Sequence, residues 1–408
     1  MSIKIGVFGG RRGDSMINWC KQTGEAEVAA ICEKDKRVTD FLKKKYPDDK
    51  VKYFKDFDEF IKCGLDAVVL ANYANEHAPY AIRCLDMGIS VLSEVLPCQT
   101  LKEAVGLVEA AERSSAVYAY AENYCYMPAT LEMKKLYKQG VIGDFEYGEG
   151  EYVHNCEPIW PQITYGEKDH WRNNQYSTFY CTHSIGPLVH ITGLKPVSVI
   201  GAELPFNNAM ARMGAKKGAA GIELITFENG AIVKSLHGDL RKNNIWFCMY
   251  GTKGRMESVR EAALPDGVVK LLVDYDSDEM LFDCKRGEYS PEIKGLGHVG
   301  SDFYPMHEFV AKLKGKKADV IGVYEALDMW LPGFFAYISI LEGGKAQAIP
   351  DLKDKAQRDK YRNDTRCSDK KVAGDMLLPS YSKGEIQTDD YVYEKVRRNY
   401  EKFLKENS

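Results

Sequence analysis

Two kinds of α/β architecture are predicted in this chain. Residues 1–123 read as a Rossmann-type doubly wound parallel sheet, and residues 124–408 as an α+β unit with an open, mostly antiparallel sheet and helices. Three observations carry the prediction. Short β-rich runs alternate with helical patterns through the first third. After about Asn123 several strand-like runs follow one another, separated by Gly, Asn and Asp turns. Helical periodicity then returns near the C-terminus. Alternation of strand and helix produces a parallel sheet covered by helices, whereas consecutive strands produce hairpins and an antiparallel sheet.

In chain order, "KIGVFGG" is an apolar run ending in glycines, a strand that enters a tight turn. "AEVAAICEKD" is a second strand. "LDAVVLANYANEHAPYAIRCLDMG" reads as a strand, a polar loop and an amphipathic helix ended by Gly88, and "ISVLSEV" as a further buried strand. In "TLKEAVGLVEAAERSS" the apolar residues recur at helical spacing, with Thr100 and Glu103 in a capping-box pattern. Between about 145 and 290 the runs are strand-like, and "ENG" inside "GIELITFENGAIVKSLHGDL" is a hairpin turn. Helices are expected at about 301–315 and 321–342; the tail, about 365–408, is expected to pack back, and its last stretch, "DDYVYEKVRRNYEKFLKENS", to form a charged terminal helix.

Composition narrows the function. Hydrophobic residues make up 45% and charged residues 28%, as in an ordinary globular protein, and the net charge of −4 gives no reason to expect nucleic acid or an anionic membrane as partner. The N-terminus has no secretory pattern and no apolar run is long enough to span a bilayer, so a cytoplasmic protein is expected. The eleven cysteines are scattered without a CxxC pair and read as reduced, buried thiols. No compact His/Asp/Glu ligand set appears, so no metal site is expected.

The first turn, "GVFGGRRGD", holds Gly9, Gly10 and Gly13 together with Arg11 and Arg12. A glycine-rich turn between a strand and a helix lets the backbone approach a pyrophosphate at the helix N-terminus. Glu33 closes the second strand 20 residues after Gly13, where a Rossmann domain places an acid on the ribose hydroxyls. A carboxylate there repels the additional phosphate of NADP and favours NAD. Arg11 and Arg12 argue in the other direction, so NADP stays possible.

With "ANYANEHA", "VLSEVLPCQTLKEA", "AENYCYMP", "GHVGSDFYPMHEFV" and "VYEALDMWLPGFFAYISILEGG", this turn resembles the Gfo/Idh/MocA oxidoreductases over most of the chain. The resemblance implies NAD or NADP at the Rossmann strand ends and a sugar or cyclitol substrate between the domains. It places Asn72, Asn75, His77, Glu94 and Asn123 at the cofactor, and it implies a homo-dimer or homo-tetramer. Val95 and Leu96 depart from the pattern, since the family usually has lysine and proline there. The usual His-x-x-Asp motif appears as His183-Ser-Ile-Gly186, without its acid.

Hydride transfer from an alcohol needs a group that takes the hydroxyl proton near neutral pH. Histidine suits this, and a tyrosine can relay or polarise. His183 falls in the first turn of a helix expected to begin near Thr182, with Tyr180 just before it. Tyr124 and Tyr126, spaced as in a strand, are further catalytic candidates. His170, Trp171 and Arg172 in "DHWR", and His298 and Asp302 in "GHVGSD", are candidates for holding a sugar; His190 reads as structural. The run Tyr180-Cys181-Thr182-His183-Ser184-Ile185-Gly186-Pro187, with the Glu94-Val95 pair, is also similar to the NAD-dependent glycoside hydrolases of family 109. That resemblance implies transient oxidation of the sugar, elimination of the glycosidic substituent, addition of water and return of the hydride. Three functions stay open: a sugar dehydrogenase, a glycosidase or lyase that recycles NAD, and a non-catalytic NAD-binding regulator.

Overall fold

The protein is described by a computed structural model that covers residues 2–260, 268–273, 280–283 and 295–406. Six strands, β1 (Lys4–Phe8), β2 (Glu27–Cys32), β3 (Lys52–Phe54), β4 (Ala67–Leu70), β5 (Ser90–Ser93) and β6 (Tyr118–Tyr120), form one parallel sheet in the order β3-β2-β1-β4-β5-β6. β4 and β5 are buried along their whole length, as expected for strands covered by helices on both faces. The order reverses between β1 and β4, and ligands of such sheets bind in the crevice outside the strand ends at that point. The helix Leu101–Arg113 starts as its sequence indicates: Thr100 accepts from the Glu103 N–H (3.1 Å), and Glu103 accepts from the Gln99 N–H (2.9 Å).

After β6 the chain departs from expectation. Asn123–Tyr126 is a 3-10 turn, with Glu122 accepting from the Tyr124 N–H (3.3 Å), so Tyr124 and Tyr126 do not alternate on a strand. Pro128 sets this turn, because it opens the helix Pro128–Lys138 and the chain has to change direction first.

Among the described residues nine strands form the second sheet: β7 (Phe145–Val153), β8 (Pro196–Glu203), β9 (Ala220–Phe227), β10 (Ile232–Gly238), β11 (Asn244–Gly251), β12 (Gly254–Ser258), β13 (Val268–Val273), β14 (Met280–Asp283) and β15 (Gln347–Ala348). Their order is β14-β13-β12-β11-β7-β10-β9-β8-β15, and the β7/β10 pair is the parallel one. The "ENG" hairpin joins β9 to β10, with Gly230 at φ 89°. The last part of the expected strand-rich stretch, 284–290, lies outside the described residues.

Two helices cover the inner face. Val323–Leu341 packs on β8, and Cys181–Thr192 packs on β7 and β10. The second approach is unusually close, because a Cβ on Gly150 of β7 would fall 1.7 Å from the Ser184 carbonyl. Gly150 is therefore what lets the helix carrying His183 rest on the sheet. The terminal helix Asp390–Glu406 packs back against Trp160–Thr164, with Tyr400 against Tyr165 (5.1 Å) and under the Arg37 guanidinium (5.6 Å).

Candidate active site

A cavity of about 680 Å³ runs from the crevice at β1 and β4 to the inner face of the second sheet. At the crevice end Gly9 adopts φ 94°, and a Cβ there would lie 2.4 Å from the Ala71 carbonyl; only glycine lets this turn sit so close to the β4 end. Glu33, just after β2, accepts from the Gly10 N–H and the Asp35 N–H (2.8 Å each), which holds its carboxylate at the cavity wall. The Asn72 side-chain oxygen is buried without a partner in the same wall. His77 donates from Nδ1 to the Leu96 carbonyl (2.8 Å), leaving Nε2 buried and unpaired.

Farther in, Arg12 bridges two carboxylates, Glu94 (2.7 Å) and Asp302 (2.8 Å). Asp302 also accepts from Asn123 Nδ2 and pairs with His298 Nδ1, both at 2.9 Å. Burial opposes the charge on Asp302, but His298 and Arg12 outweigh it and hold the carboxyl well below its usual range. Burial raises Glu94 above the usual carboxylate range although Arg12 pulls it down.

At the far end stands His183. Its Nδ1 pairs with both oxygens of Glu122 (2.8 and 3.0 Å), a carboxylate with no solvent exposure. Thr182 donates to Glu122 as well (2.9 Å). A Cβ on Gly186 would lie 3.0 Å from Glu122 Cγ, so glycine one turn after Thr182 makes room for the acid. The acid missing from the helix motif is thus supplied by the end of the first domain. With Nδ1 engaged, Nε2 is the ring nitrogen left for proton transfer in the cavity. Tyr180, the N-cap residue, stacks on His183 (5.4 Å, 10°), and Tyr124 and Tyr152 meet the same ring at 4.8 and 4.6 Å. Burial raises the Tyr180 and Tyr124 phenols, so both stay protonated and donate at neutral pH. The Arg172 guanidinium lies over Trp171 (4.5 Å) and Tyr180 (5.3 Å). Val95 lines the cavity and offers no proton.

Residues 3–122 match the family described as the oxidoreductase family with an NAD-binding Rossmann fold. The N-terminal domain is a Gfo/Idh/MocA Rossmann domain. Over 391 residues, 86% of this chain and 85% of its own, a "Glycosyl hydrolase family 109 protein" of Shewanella putrefaciens is 28% identical; one of Stenotrophomonas maltophilia is 22% identical over 80% and 83%. Among solved structures, levoglucosan dehydrogenase in complex with NADH and levoglucosan superposes with a TM-score of 0.71 at 16% identity, covering 86% of this chain and all of that one. The aldose-aldose oxidoreductase of Caulobacter crescentus has a TM-score of 0.67 at 15% identity, with the same coverage. At these identities the structures establish the fold alone.

The cavity of this Gfo/Idh/MocA domain and its partner sheet gathers most residues singled out in the sequence: Gly9, Arg11, Arg12, Glu33, Asn72, His77, Glu94, Asn123, Tyr124, His170, Trp171, Arg172, Tyr180, His183 and His298. Others sit elsewhere. Tyr126 is a core residue that donates to the Asp319 carbonyl (2.7 Å). Asn75 turns away from the cavity to Asp369 (3.1 Å), and Asp302 is consumed by Arg12, Asn123 and His298 instead of facing a sugar. Gly10 and Gly13 serve packing: Cβ atoms there would meet Leu42 at 2.6 Å and Val7 at 2.4 Å. Arg12, tied to two carboxylates, is not free to hold the extra phosphate of NADP, whereas Arg11 stays near the ribose end over Tyr165 (5.3 Å). His190 is held outside the cavity by Lys134 and Glu325.

Glu122, Tyr152, His154, Lys217 and Asp239 join the cavity or its support without having stood out in the sequence. Glu122 lies in "AENYCYMP", and a fully buried acid beside the domain junction is visible only once burial is known. Lys217 and Asp239 form a buried ion pair (2.7 Å) in the cavity wall and have no local sequence signal.

The cavity walls give two expected results. Glu33→Gln keeps the acceptor for Gly10 but removes the charge, so NADP affinity should rise about tenfold relative to NAD in fluorescence titrations; an unchanged ratio would mean that Glu33 does not face the ribose. Burial holds His77 down at about 4, and burial with Arg172 and Lys34 holds His170 down at about 3. Both lie below the unfolded value of 6.5, so their stabilisation is complete above pH 6.5 and is lost as pH falls toward 4 and 3. Each contributes a slope of up to about 1.4 kcal/mol per pH unit in that window. Urea unfolding at pH 7, 6 and 5 should show it, and His170→Gln should remove about half of the slope.

Proposed function

We propose that the protein transfers a hydride between NAD and a hydroxyl of a sugar or sugar derivative, with His183 taking or returning the hydroxyl proton. The observation that carries this reading is the His183–Glu122 pair at the inner end of a cavity whose other end is an NAD-binding crevice. NAD, when bound, accepts and donates hydride at the substrate carbon. Gly9, Glu33, Asn72 and His77 would hold it, since a close backbone turn, an acid at the β2 end and unpaired buried polar atoms are what a dinucleotide completes. Glu122 fixes the proton of His183 on Nδ1 and stabilises the imidazolium that forms when Nε2 accepts a proton. Tyr180 and Tyr124 donate to the reacting oxygen, and the arrangement needs no lysine at position 95. Trp171, Tyr180 and Tyr152 offer aromatic walls to the apolar face of a sugar ring, and Arg172 and the Lys217–Asp239 pair offer partners for hydroxyls.

A second reading is that the same hydride step opens and closes the cleavage of a glycoside. The family 109 relatives, similar over 86% of the chain, and the absence of a lysine at position 95 favour it. In this reading His183 also moves the proton next to the oxidised carbon to the leaving oxygen, while Tyr180 and Tyr124 donate hydrogen bonds to the oxygens involved. Purified protein offered sugars and chromogenic glycosides in heavy water separates the readings. Stoichiometric NADH without cleavage supports the dehydrogenase. Many cleavages per NAD, with deuterium beside the oxidised carbon, support the hydrolase. No turnover of any sugar would overturn both and leave the NAD-binding regulator.

The outward face of the second sheet exposes Ile200, Leu224 and Ile232, which supports a homo-oligomer; light scattering should give a dimer or tetramer. Cytoplasmic residence belongs to the same reading, supported by ten free cysteines among the described residues. Among these residues no helix is long and apolar enough to cross a membrane.

A further inference from the structure

At the cavity wall, which His237 helps to line, three side chains of metal-binding type converge from distant parts of the sequence. Cys181 opens the helix Cys181–Thr192, Glu223 lies on β9 and His237 on β10, and their ligand atoms all fall within 4.8 Å of one another. Strand register explains the meeting. Ser235 pairs opposite Glu223 and His237 opposite Gly221, so Glu223, Ser235 and His237 share the inward face on which the helix rests.

All three are buried: Glu223 is 0%, Cys181 1% and His237 2% exposed. Neither oxygen of Glu223 and neither ring nitrogen of His237 has a hydrogen-bond partner. A carboxylate removed from water and left without donors is strongly unfavourable, so this group calls for a cation. His237 Nδ1 approaches Glu223 Oε1 only to 3.5 Å. That is too long for a good hydrogen bond, but it is close to the ligand-to-ligand edge of a tetrahedron with bonds of about 2.0–2.2 Å. Cys181 Sγ makes only a long hydrogen bond to Ser235 Oγ (3.9 Å) and lies beside Ser184, both hydroxyls that a metal-bound sulfur can keep as neighbours.

We propose that Cys181, Glu223 and His237 bind one divalent metal ion of the zinc class, with Ser235 Oγ or a water as fourth ligand. A mixed sulfur, nitrogen and oxygen set is zinc chemistry, since magnesium and calcium take oxygen alone. On binding, the Cys181 thiol gives its proton to solvent as the sulfur–metal bond forms, and the metal does not change oxidation state. The ion acts as a brace. Cys181 lies between Tyr180 and His183, so the metal ties the start of the reactive helix to two strands of the cavity wall.

The test uses the full chain, free of any affinity tag and treated with chelator, titrated with Co²⁺ and then Zn²⁺. One equivalent of Co²⁺ should bring a thiolate-to-cobalt band in the near ultraviolet and the intense visible bands of a tetrahedral site, and Zn²⁺ should displace both. Cys181→Ser should lose the near-ultraviolet band, and Glu223→Gln and His237→Gln should each weaken Co²⁺ binding at least about tenfold. Circular dichroism in metal-free buffer reports whether each variant folds, and any one folded variant decides the assignment. Absence of the tetrahedral spectrum in the wild-type chain overturns the proposal, as does a spectrum that a folded variant leaves unchanged; a Glu223–His237 pair sharing a proton would then occupy the pocket.

Discussion

His183→Ala should lower kcat by about 100- to 10,000-fold on whichever sugar or glycoside the wild-type protein turns over, while NAD affinity changes less than about twofold. The magnitude is that of removing a positioned acid/base. It should lie toward the upper end because Val95 leaves no lysine to substitute, and because Tyr180 and Tyr124, with phenols raised by burial, donate but do not accept protons at neutral pH. Unchanged NAD binding is expected because His183 sits at the inner end of the cavity, away from Gly9 and Glu33. Steady-state kinetics with a parallel NAD titration measure both. A variant retaining more than about a tenth of wild-type kcat would remove His183 from its proposed role. Tyr180→Phe, which keeps the ring stacked on His183 but deletes one donor, should cost much less, about tenfold.

Glu122→Gln should be nearly as damaging, by about 100- to 1,000-fold in kcat, although Glu122 acts through His183. The carboxylate accepts from His183, Thr182 and the Tyr124 N–H. An amide can turn its NH₂ toward Nδ1, which drives the proton to Nε2 and presents the cavity with a donor where the reaction needs an acceptor. It also removes the charge that stabilises the imidazolium. Nitrogen-15 spectra of His183 should therefore report the other tautomer. Loss of activity with unchanged tautomer would reduce Glu122 to a packing role. The lost charge-assisted hydrogen bonds should also lower stability, by about 1–3 kcal/mol in urea unfolding.

Much of the architecture is legible in local pattern, for identifiable reasons. Strands and helices of the first domain carry unbroken apolar runs and a satisfied capping box at Thr100 and Glu103, and the "ENG" hairpin states its own register. Those signals act over a few residues, so sequence contains them whole. The 3-10 turn at Asn123–Tyr126 is not legible in the same way, because a spacing of two also fits a strand, and Pro128 decides against it. Asn75 and Asp302 look like ligand-facing residues because their chain neighbours are. Their partners, Asp369 and Arg12, lie 294 and 290 residues away, beyond what local pattern can report.

The sequence by itself determined the two sheets, the dinucleotide turn with Glu33, and the placement of Tyr180 and His183 at the start of a helix. Tertiary structure alone decided which acid serves His183, that Arg12 is neutralised by Glu94 and Asp302, and that Cys181, Glu223 and His237 meet. The reason for the division is physical. Periodicity, capping and turn chemistry are settled between near neighbours, whereas the partner of a buried charge is whichever group the packing of distant elements brings within about 3 Å.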